Sequence, residues 1–131
     1  MSNETVFGKI IRGEIPATKI YEDEQFLAFL DIHPVSKGHT LLIPKEQYIW
    51  MHDVPNDVIS AIFLKAKEIM SAMKHGLRCD YVQLSVVGKD VPHFHIHLIP
   101  RYFGDALEAW PTDTYLEGEM DSFAQQIKSG L

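Results

Sequence analysis

The stretch VPHFHIHLIPR, residues 91–101, has a histidine at every second position. These histidines are His93, His95 and His97. Successive side chains of an extended strand point to opposite faces of a sheet. The three imidazoles are therefore predicted to share one face, while the apolar residues between them share the other and belong to the core. Neighbouring imidazoles would stand roughly 6.6 Å apart, which reaches across a phosphate group and its ester oxygens.

Three interpretations of this histidine run are open. The simplest is a half-exposed strand that carries histidines without any function. A second is a zinc site, because a His-x-His pair can bind zinc with a third ligand from elsewhere, although Arg101 is an unfavourable neighbour for a cation. The third is a nucleophilic site, in which a neutral imidazole attacks phosphorus and its neighbours donate hydrogen bonds. The strict alternation of three histidines, flanked by a glycine turn and an entering proline, makes the first interpretation unlikely.

Length and composition limit the class of protein. The 131 residues suit one domain, and the formal net charge of −6 argues against a nucleic-acid-binding surface, which needs a basic face. A small anionic ligand stays compatible, because a local pocket can oppose the global charge. Cys79 is the single cysteine, so the chain can form neither an intrachain disulfide nor a cysteine pair for zinc. Without an apolar leader or an apolar run of about 18 residues, the sequence predicts a cytoplasmic protein with no membrane segment.

Hydrophobic periodicity predicts three helices and five strands. The helices cover 4–12, 55–75 and 119–128. The strands cover 18–23, 25–32, 39–44, 80–87 and 91–99. Asp53 or Asn56 is predicted to cap the start of the long helix and Gly76 to close it. The last two strands are predicted to form a hairpin around a short turn at residues 88–90.

The histidine run resembles a known family signature. His93-Phe94-His95-Ile96-His97-Leu98-Ile99 matches the pattern His-φ-His-φ-His-φ-φ, where φ is apolar, of the histidine triad (HIT) family of nucleotide hydrolases and transferases. The similarity continues through FGKIIRGEIPATKIYEDEQFLAFLDIHPVSKGHTLLIPK, residues 7–45, and is strongest to purine-nucleoside phosphoramidases and bacterial HIT-like hydrolases. It implies an α+β, HIT-like fold with a five-stranded antiparallel sheet, one long helix and short terminal helices. Residues 1–131 would form a single HIT domain, with a core of about 4–102 and a C-terminal extension of about 103–131.

The resemblance also implies roles for four histidines. His95, in the middle of the run, corresponds to the family nucleophile. His93 and His97 would hydrogen-bond the phosphate, with His97 nearer to the leaving group. His39, in the segment Pro-Val-Ser-Lys-Gly-His, would complete the constellation, although a histidine at a strand start needs no chemistry.

The nucleotide-binding residues are inferred in the same way. Asp31 would accept hydrogen bonds from ribose hydroxyls, although it can equally cap the turn that follows it. Apolar residues that would line the base pocket, or simply fill the core, are Phe7, Ile10, Phe29, Leu30 and Ile32. The turn of Gly88, Lys89 and Asp90 would hold the phosphate through backbone N–H groups. Lys89 stands where the family commonly has glutamine, and it would either contribute charge to the site or point to solvent. Many family members also have an asparagine ahead of this turn, which Ser85 would replace, so the resemblance does not fix the leaving group.

The resemblance predicts no cofactor and no metal. Bacterial relatives often hold zinc with two N-terminal cysteines and a histidine after Pro-Lys-Glu, whereas here these regions read Thr5-Val6-Phe7-Gly8 and Gln47. The partners implied are a purine nucleotide and a second copy of the chain, paired through the long helix. Trp110-Pro111 and Tyr115 would close over the site, pack on the dimer mate or fill a groove.

The expected activity is hydrolysis of nucleoside 5′-monophosphate derivatives through a nucleotidyl-histidine. Two alternatives stay open at this point. One is a dinucleoside polyphosphate hydrolase with the same chemistry. The other is a nucleotide-binding regulatory protein with incidental activity.

Overall fold

The computed structural model describes residues 4–107 and 112–131. Five strands form a single antiparallel sheet in the order β1-β2-β3-β5-β4. The strands are β1 Lys19–Glu22, β2 Phe26–Leu30, β3 Thr40–Pro44, β4 Tyr81–Ser85 and β5 Ile96–Arg101. The helices are α1 Val6–Ile11, α2 Asn56–Leu77 and α3 Glu119–Ser129, with a 3₁₀ turn at Met51–Asp53. The predicted α+β architecture is confirmed.

The two faces of the sheet bury different cores. One face packs on α2, where alternate residues of β3 and β5 such as Leu42 and Leu98 meet Ile62 and Ala66. The opposite face, together with α1, builds a second cluster around Leu27, Phe29, Leu41 and Ile43 with Phe7 and Ile10. Burial of each large apolar side chain contributes about 1.5–3 kcal/mol. Because α1 is short, it leaves part of this second face uncovered, and the candidate site lies there.

The strand of the histidine run is shorter than predicted. β5 begins at Ile96, so residues 91–95 are irregular. Pro92 has no N–H for a sheet ladder, and the N–H of Phe94 donates to the carbonyl of Tyr48, outside the sheet. The alternation of sides nevertheless persists, because the three apolar residues Phe94, Ile96 and Leu98 pack in the α2 cluster. The rings of His95 and His97 are only 4.8 Å apart between centroids, closer than a fully extended strand would give.

Other boundaries also differ from the sequence prediction. β4 and β5 are antiparallel neighbours, but residues 86–95 connect them, a longer loop than the short turn expected. At α2, neither Asp53 nor Asn56 caps the helix; Pro55 occupies the N-cap position without a side-chain hydrogen bond. The helix also continues past Gly76 to Leu77, and the C-cap residue Arg78 itself adopts the left-handed conformation with φ of 57°.

Two further observations concern the C-terminal aromatic residues and the lengths of the helices. The predicted closure by Trp110 and Pro111 lies outside the described residues, and Tyr115 is exposed and contacts the Phe123 ring of α3. Within 4–107 and 112–131, no helix combines the length and the apolar character that a bilayer crossing requires.

Candidate active site

A cavity of about 530 Å³ opens on the α1 face of the sheet. Its wall brings together most of the residues that the sequence singled out. They are Phe7, Ile10, Phe29, Leu30, Asp31, Ile32, Gly88, Lys89, Asp90, His95 and His97. Most of these apolar side chains are buried, whereas Ile32 is 85% exposed and forms part of the rim. His39 and His93 are not part of the wall, because both are buried behind it.

His95 is held so that one ring nitrogen faces the cavity side. Its Nδ1 lies 2.7 Å from the carbonyl oxygen of His93. A carbonyl only accepts, so Nδ1 carries the proton and donates it. In a neutral imidazole the other nitrogen, Nε2, then has a free lone pair. The edge of the Phe7 ring contacts the imidazole at 4.9 Å between centroids and an interplanar angle of 82°, which fixes the plane of the ring.

A hydrogen-bond relay fixes the proton of His97. The backbone N–H of Val35 donates to Nδ1 of His39 at 3.1 Å, so the proton of neutral His39 is on Nε2. That Nε2 lies 2.9 Å from Nδ1 of His97. The His97 nitrogen must accept, which leaves the proton of its own ring on Nε2. His97 therefore presents a donor beside the free lone pair of His95.

Burial keeps the imidazoles of His39 and His97 neutral. Desolvation lowers the pKa of His97 to about 4, helped by repulsion from His95 and His39 and opposed by Asp31. Desolvation also lowers the pKa of His39, with Asp31 again opposing it. The relay adds to this effect, because a second proton on either ring would face an existing N–H group. Neutral rings preserve the donor and acceptor pattern that the relay defines.

His93 is placed differently from the sequence prediction. Its side chain is completely buried, and its Nε2 donates to the carbonyl of Pro44 at 2.7 Å. Its Nδ1 has no hydrogen-bond partner among the described residues. A direct contact with a phosphate does not fit this position. The contribution of this residue to the site is its backbone carbonyl, which holds His95.

Asp31 uses its two carboxylate oxygens for different contacts. Oδ1 accepts the backbone N–H of His33 at 2.9 Å, which is the turn-capping contact considered from the sequence. Oδ2 lies 3.7 Å from Nε2 of His39. The side chain also borders the cavity, so turn capping does not remove it from the site.

The loop of residues 86–90 contributes another part of the cavity wall, and its conformation depends on Gly88. This residue has φ of +75°, a region that side chains disfavour. An added Cβ would also lie 3.0 Å from a ring carbon of Trp50. Glycine thus lets the backbone turn tightly under the indole, while Lys89 and Asp90 beside it are exposed at the rim.

One group of side chains has the composition of a metal site. Single ligand atoms of Asp31, His39 and His97 all lie within 4.8 Å of one another. In the structure, however, the facing nitrogens of the two histidines share a hydrogen bond, so a cation would have to separate them. At the positions of the family's zinc ligands, Thr5 instead caps α1 by accepting the N–H of Gly8, and Gln47 donates to the carbonyl of Pro92.

Sequence reasoning missed two features that shape the site. Phe7 was expected as a wall of the base pocket or as part of the core, and its edge-to-face contact with His95 depends on how α1 docks on the sheet. The backbone of Val35 carries no sequence signal, although it sets the proton positions of the relay. The close spacing of Val35 and His39 in one loop is the one hint that the sequence offers.

Comparisons with known proteins identify the family of this chain. The family model of the HIT domain matches residues 12–104. An adenylylsulfatase of Arabidopsis thaliana is 37% identical over 134 residues, covering 98% of this chain and 68% of its own. An adenosine 5′-monophosphoramidase of Saccharomyces cerevisiae is 40% identical over 100 residues, covering 73% of this chain and 61% of its own. The crystal structure of a HIT family protein from Bacillus anthracis superposes with a TM-score of 0.83 at 35% identity, covering 100% of this chain and 99% of that one.

Proposed function

Because this chain belongs to the HIT domain family, we propose that it hydrolyses nucleoside 5′-monophosphate derivatives at the α-phosphate through a covalent nucleotidyl-histidine at His95. Nucleoside phosphoramidates are the substrate class that we propose in the first place. The observation that carries this proposal is the free Nε2 lone pair of His95, which its Nδ1–H bond to the His93 carbonyl enforces. A neutral imidazole with a fixed orientation is the form that can attack phosphorus.

The first step forms the bond between Nε2 of His95 and the α-phosphorus and breaks the bond to the leaving group. The bonding electron pair departs with the leaving group, and a departing amine takes a proton from solvent. Nε2–H of His97 donates to the atom that leaves or to a phosphoryl oxygen, where negative charge develops. The positive charge gained by His95 is stabilised through Nδ1–H and the carbonyl of His93.

The second step returns the enzyme to its starting state. A water oxygen attacks the α-phosphorus, the phosphorus–nitrogen bond breaks, and the electron pair returns to Nε2 of His95. The proton released by water replaces the one taken by the leaving group. The net reaction consumes one water and needs neither a metal nor another cofactor.

In this proposal a nucleotide occupies the cavity with its phosphate at the histidines. The apolar wall around Phe7, Ile10 and Phe29 offers contact area for a purine base. The carboxylate of Asp31, at the same wall, would accept the ribose hydroxyls. The backbone around Gly88 would hold the phosphate beside His95.

Replacement of the nucleophile tests the covalent route directly. His95→Ala is expected to abolish turnover of adenosine 5′-phosphoramidate while AMP still binds. His52→Ala, which removes an exposed histidine that is not part of the cavity wall, serves as the matched control. Turnover retained by His95→Ala would refute the proposal. Faster turnover of diadenosine tetraphosphate than of the phosphoramidate would favour a dinucleoside polyphosphate hydrolase, and tight AMP binding with negligible turnover of both would favour a regulatory nucleotide-binding protein.

The same proposal extends to assembly, domain organisation and location. A homodimer through α2 would cover Leu64 and Leu77, which are 62% and 42% exposed in the single chain. Light scattering of the purified protein would distinguish a dimer from a monomer. We also propose that residues 1–131 form a single HIT domain and that the protein is located in the cytoplasm.

A further inference from the structure

Ser85 is the direct cross-strand partner of His97. β4 and β5 pair so that the Cα atoms of these two residues are opposite each other. Val82 and Leu84 of β4 pack toward α2. Because side chains alternate along a strand, Ser85 extends from the other face, the one that carries the cavity. Directly opposed residues have Cβ atoms about 4.5–5.5 Å apart, so the hydroxyl lies beside the imidazole of His97.

A buried guanidinium sets the orientation of the side chain next to Ser85. Nη1 of Arg101 donates to Oε1 of Gln83 at 2.6 Å. Arginine has only donors, so the amide oxygen of Gln83 must face it. Arg101 is itself 3% exposed, and its guanidinium is held by both carboxylate oxygens of Asp105, each at 2.9 Å, and by the carbonyl of Leu107. This anchoring prevents the Gln83 amide from reversing.

The fixed amide determines what the Ser85 hydroxyl can do. Nε2 of Gln83 donates to Oγ of Ser85 at 3.2 Å. The oxygen is thus an acceptor for Gln83, and its own proton is directed elsewhere. No hydrogen bond among residues 4–107 and 112–131 uses that proton. His97, directly across, likewise has its Nε2–H unused while Nδ1 is bound to His39.

We propose that Ser85 and His97 form a leaving-group subsite for an oxygen-rich anion such as sulfate, phosphate or a carboxylate. Two adjacent donors match an anion that presents several acceptor oxygens, whereas an amine leaving group offers one acceptor at most. This inference rests on the proposed function. It assigns Ser85 to leaving-group selection and Gln83 to positioning the hydroxyl.

The test compares adenosine 5′-phosphosulfate with adenosine 5′-phosphoramidate. Ser85→Ala is expected to lower kcat/KM for the phosphosulfate about tenfold or more, mainly through KM, because it removes a hydrogen bond to a charged group. The phosphoramidate should lose less than threefold. Ser85→Thr keeps the hydroxyl and should restore phosphosulfate hydrolysis. Ser60→Ala, an exposed serine of α2, is the matched control.

Gln83→Glu tests whether the orientation of the Ser85 hydroxyl matters, because this variant keeps the hydroxyl but changes the direction of its proton. The carboxylate can still pair with Arg101, but it accepts the Ser85 proton and so turns the donor away from the subsite. It should therefore reproduce the selective phosphosulfate defect of Ser85→Ala at an unchanged thermal midpoint.

Three results with the variants would overturn this inference. They are equal losses on both substrates, an unimpaired Ser85→Ala enzyme, and a fully active Gln83→Glu enzyme with a normal KM. If the wild-type protein hydrolyses the phosphoramidate but not the phosphosulfate, the subsite fails while the proposed function stands. If it hydrolyses neither substrate, the proposed function fails first.

Discussion

The relay from Val35 through His39 to His97 predicts that two similar substitutions at residue 39 have opposite consequences. His39→Asn keeps an acceptor near the position of Nδ1, so it still satisfies the N–H of Val35, but it has no donor where Nε2 lies. His39→Gln extends an amide N–H to that position and so still donates to Nδ1 of His97. Asparagine therefore removes the bond that fixes the His97 proton, and glutamine preserves it.

The size of the effect follows from the 2.9 Å bond between His39 and His97. Leaving a buried acceptor unsatisfied costs about 1–3 kcal/mol, and without the donor His97 is free to move its proton to Nδ1 and present a lone pair to the leaving group. If the full cost appears in the transition state, His39→Asn lowers kcat for adenosine 5′-phosphoramidate by about 5- to 150-fold. His39→Gln should retain at least a third of the wild-type rate.

The assay measures kcat for this substrate and for 4-nitrophenyl adenosine 5′-phosphate. Nitrophenolate leaves readily, so its release needs less help from His97, and the His39→Asn defect should be much smaller on it. AMP affinity and the thermal midpoint of each variant control for folding. Equal rates for the two variants, or a His39→Asn enzyme that is fully active on the phosphoramidate, would refute the proposed relay.

Three further predictions concern protonation, the phosphate loop and metals. Because desolvation lowers the pKa of His97 to about 4 against about 6.5 in an unfolded chain, the unfolded state binds more protons between these values. Denaturant titrations should therefore show a free energy of unfolding that is constant above pH 7 and lower by about 1–2 kcal/mol at pH 5, a range that allows for partial solvent screening. An unchanged free energy of unfolding at pH 5 would contradict the lowered pKa of His97. Gly88→Ala, strained at φ of +75° and pressed against Trp50, should raise KM for the nucleotide at least threefold, whereas Gly13→Ala, strained at φ of +78° but in open space, should not. Dialysis against EDTA should leave turnover intact, and recovery of lost activity by an added divalent metal would contradict the metal-free mechanism.

The sequence predicted the architecture because the fold depends on patterns within each segment. The helical spacing of apolar residues in α2 and the alternation in β2 and β5 each identify an element without knowledge of its neighbours. Element boundaries were less predictable. β5 starts at Ile96 because the N–H of Phe94 is used by Tyr48, a contact between distant segments that no local pattern encodes.

The candidate site was predicted as a set of residues but not as a hydrogen-bond network. The spacing of the histidines indicated which rings come together, yet the sequence could not show that His93 is buried behind His95. The relay joins His39 to His97 across 58 positions of the chain, and its proton assignment depends on a backbone amide. The link from Arg101 to Ser85 likewise depends on the register of two strands, which becomes visible only when the sheet is assembled.

Anchoring by Arg101 has a practical consequence for protein engineering. The guanidinium holds the carboxylate of Asp105 and the carbonyl of Leu107 against the sheet, so the position of these two residues relative to the sheet is fixed. A chain truncated so that Asp105 is lost would free the Arg101 guanidinium and, with it, the side chain of Gln83. Such a protein would keep its nucleophile while losing its preference among substrates.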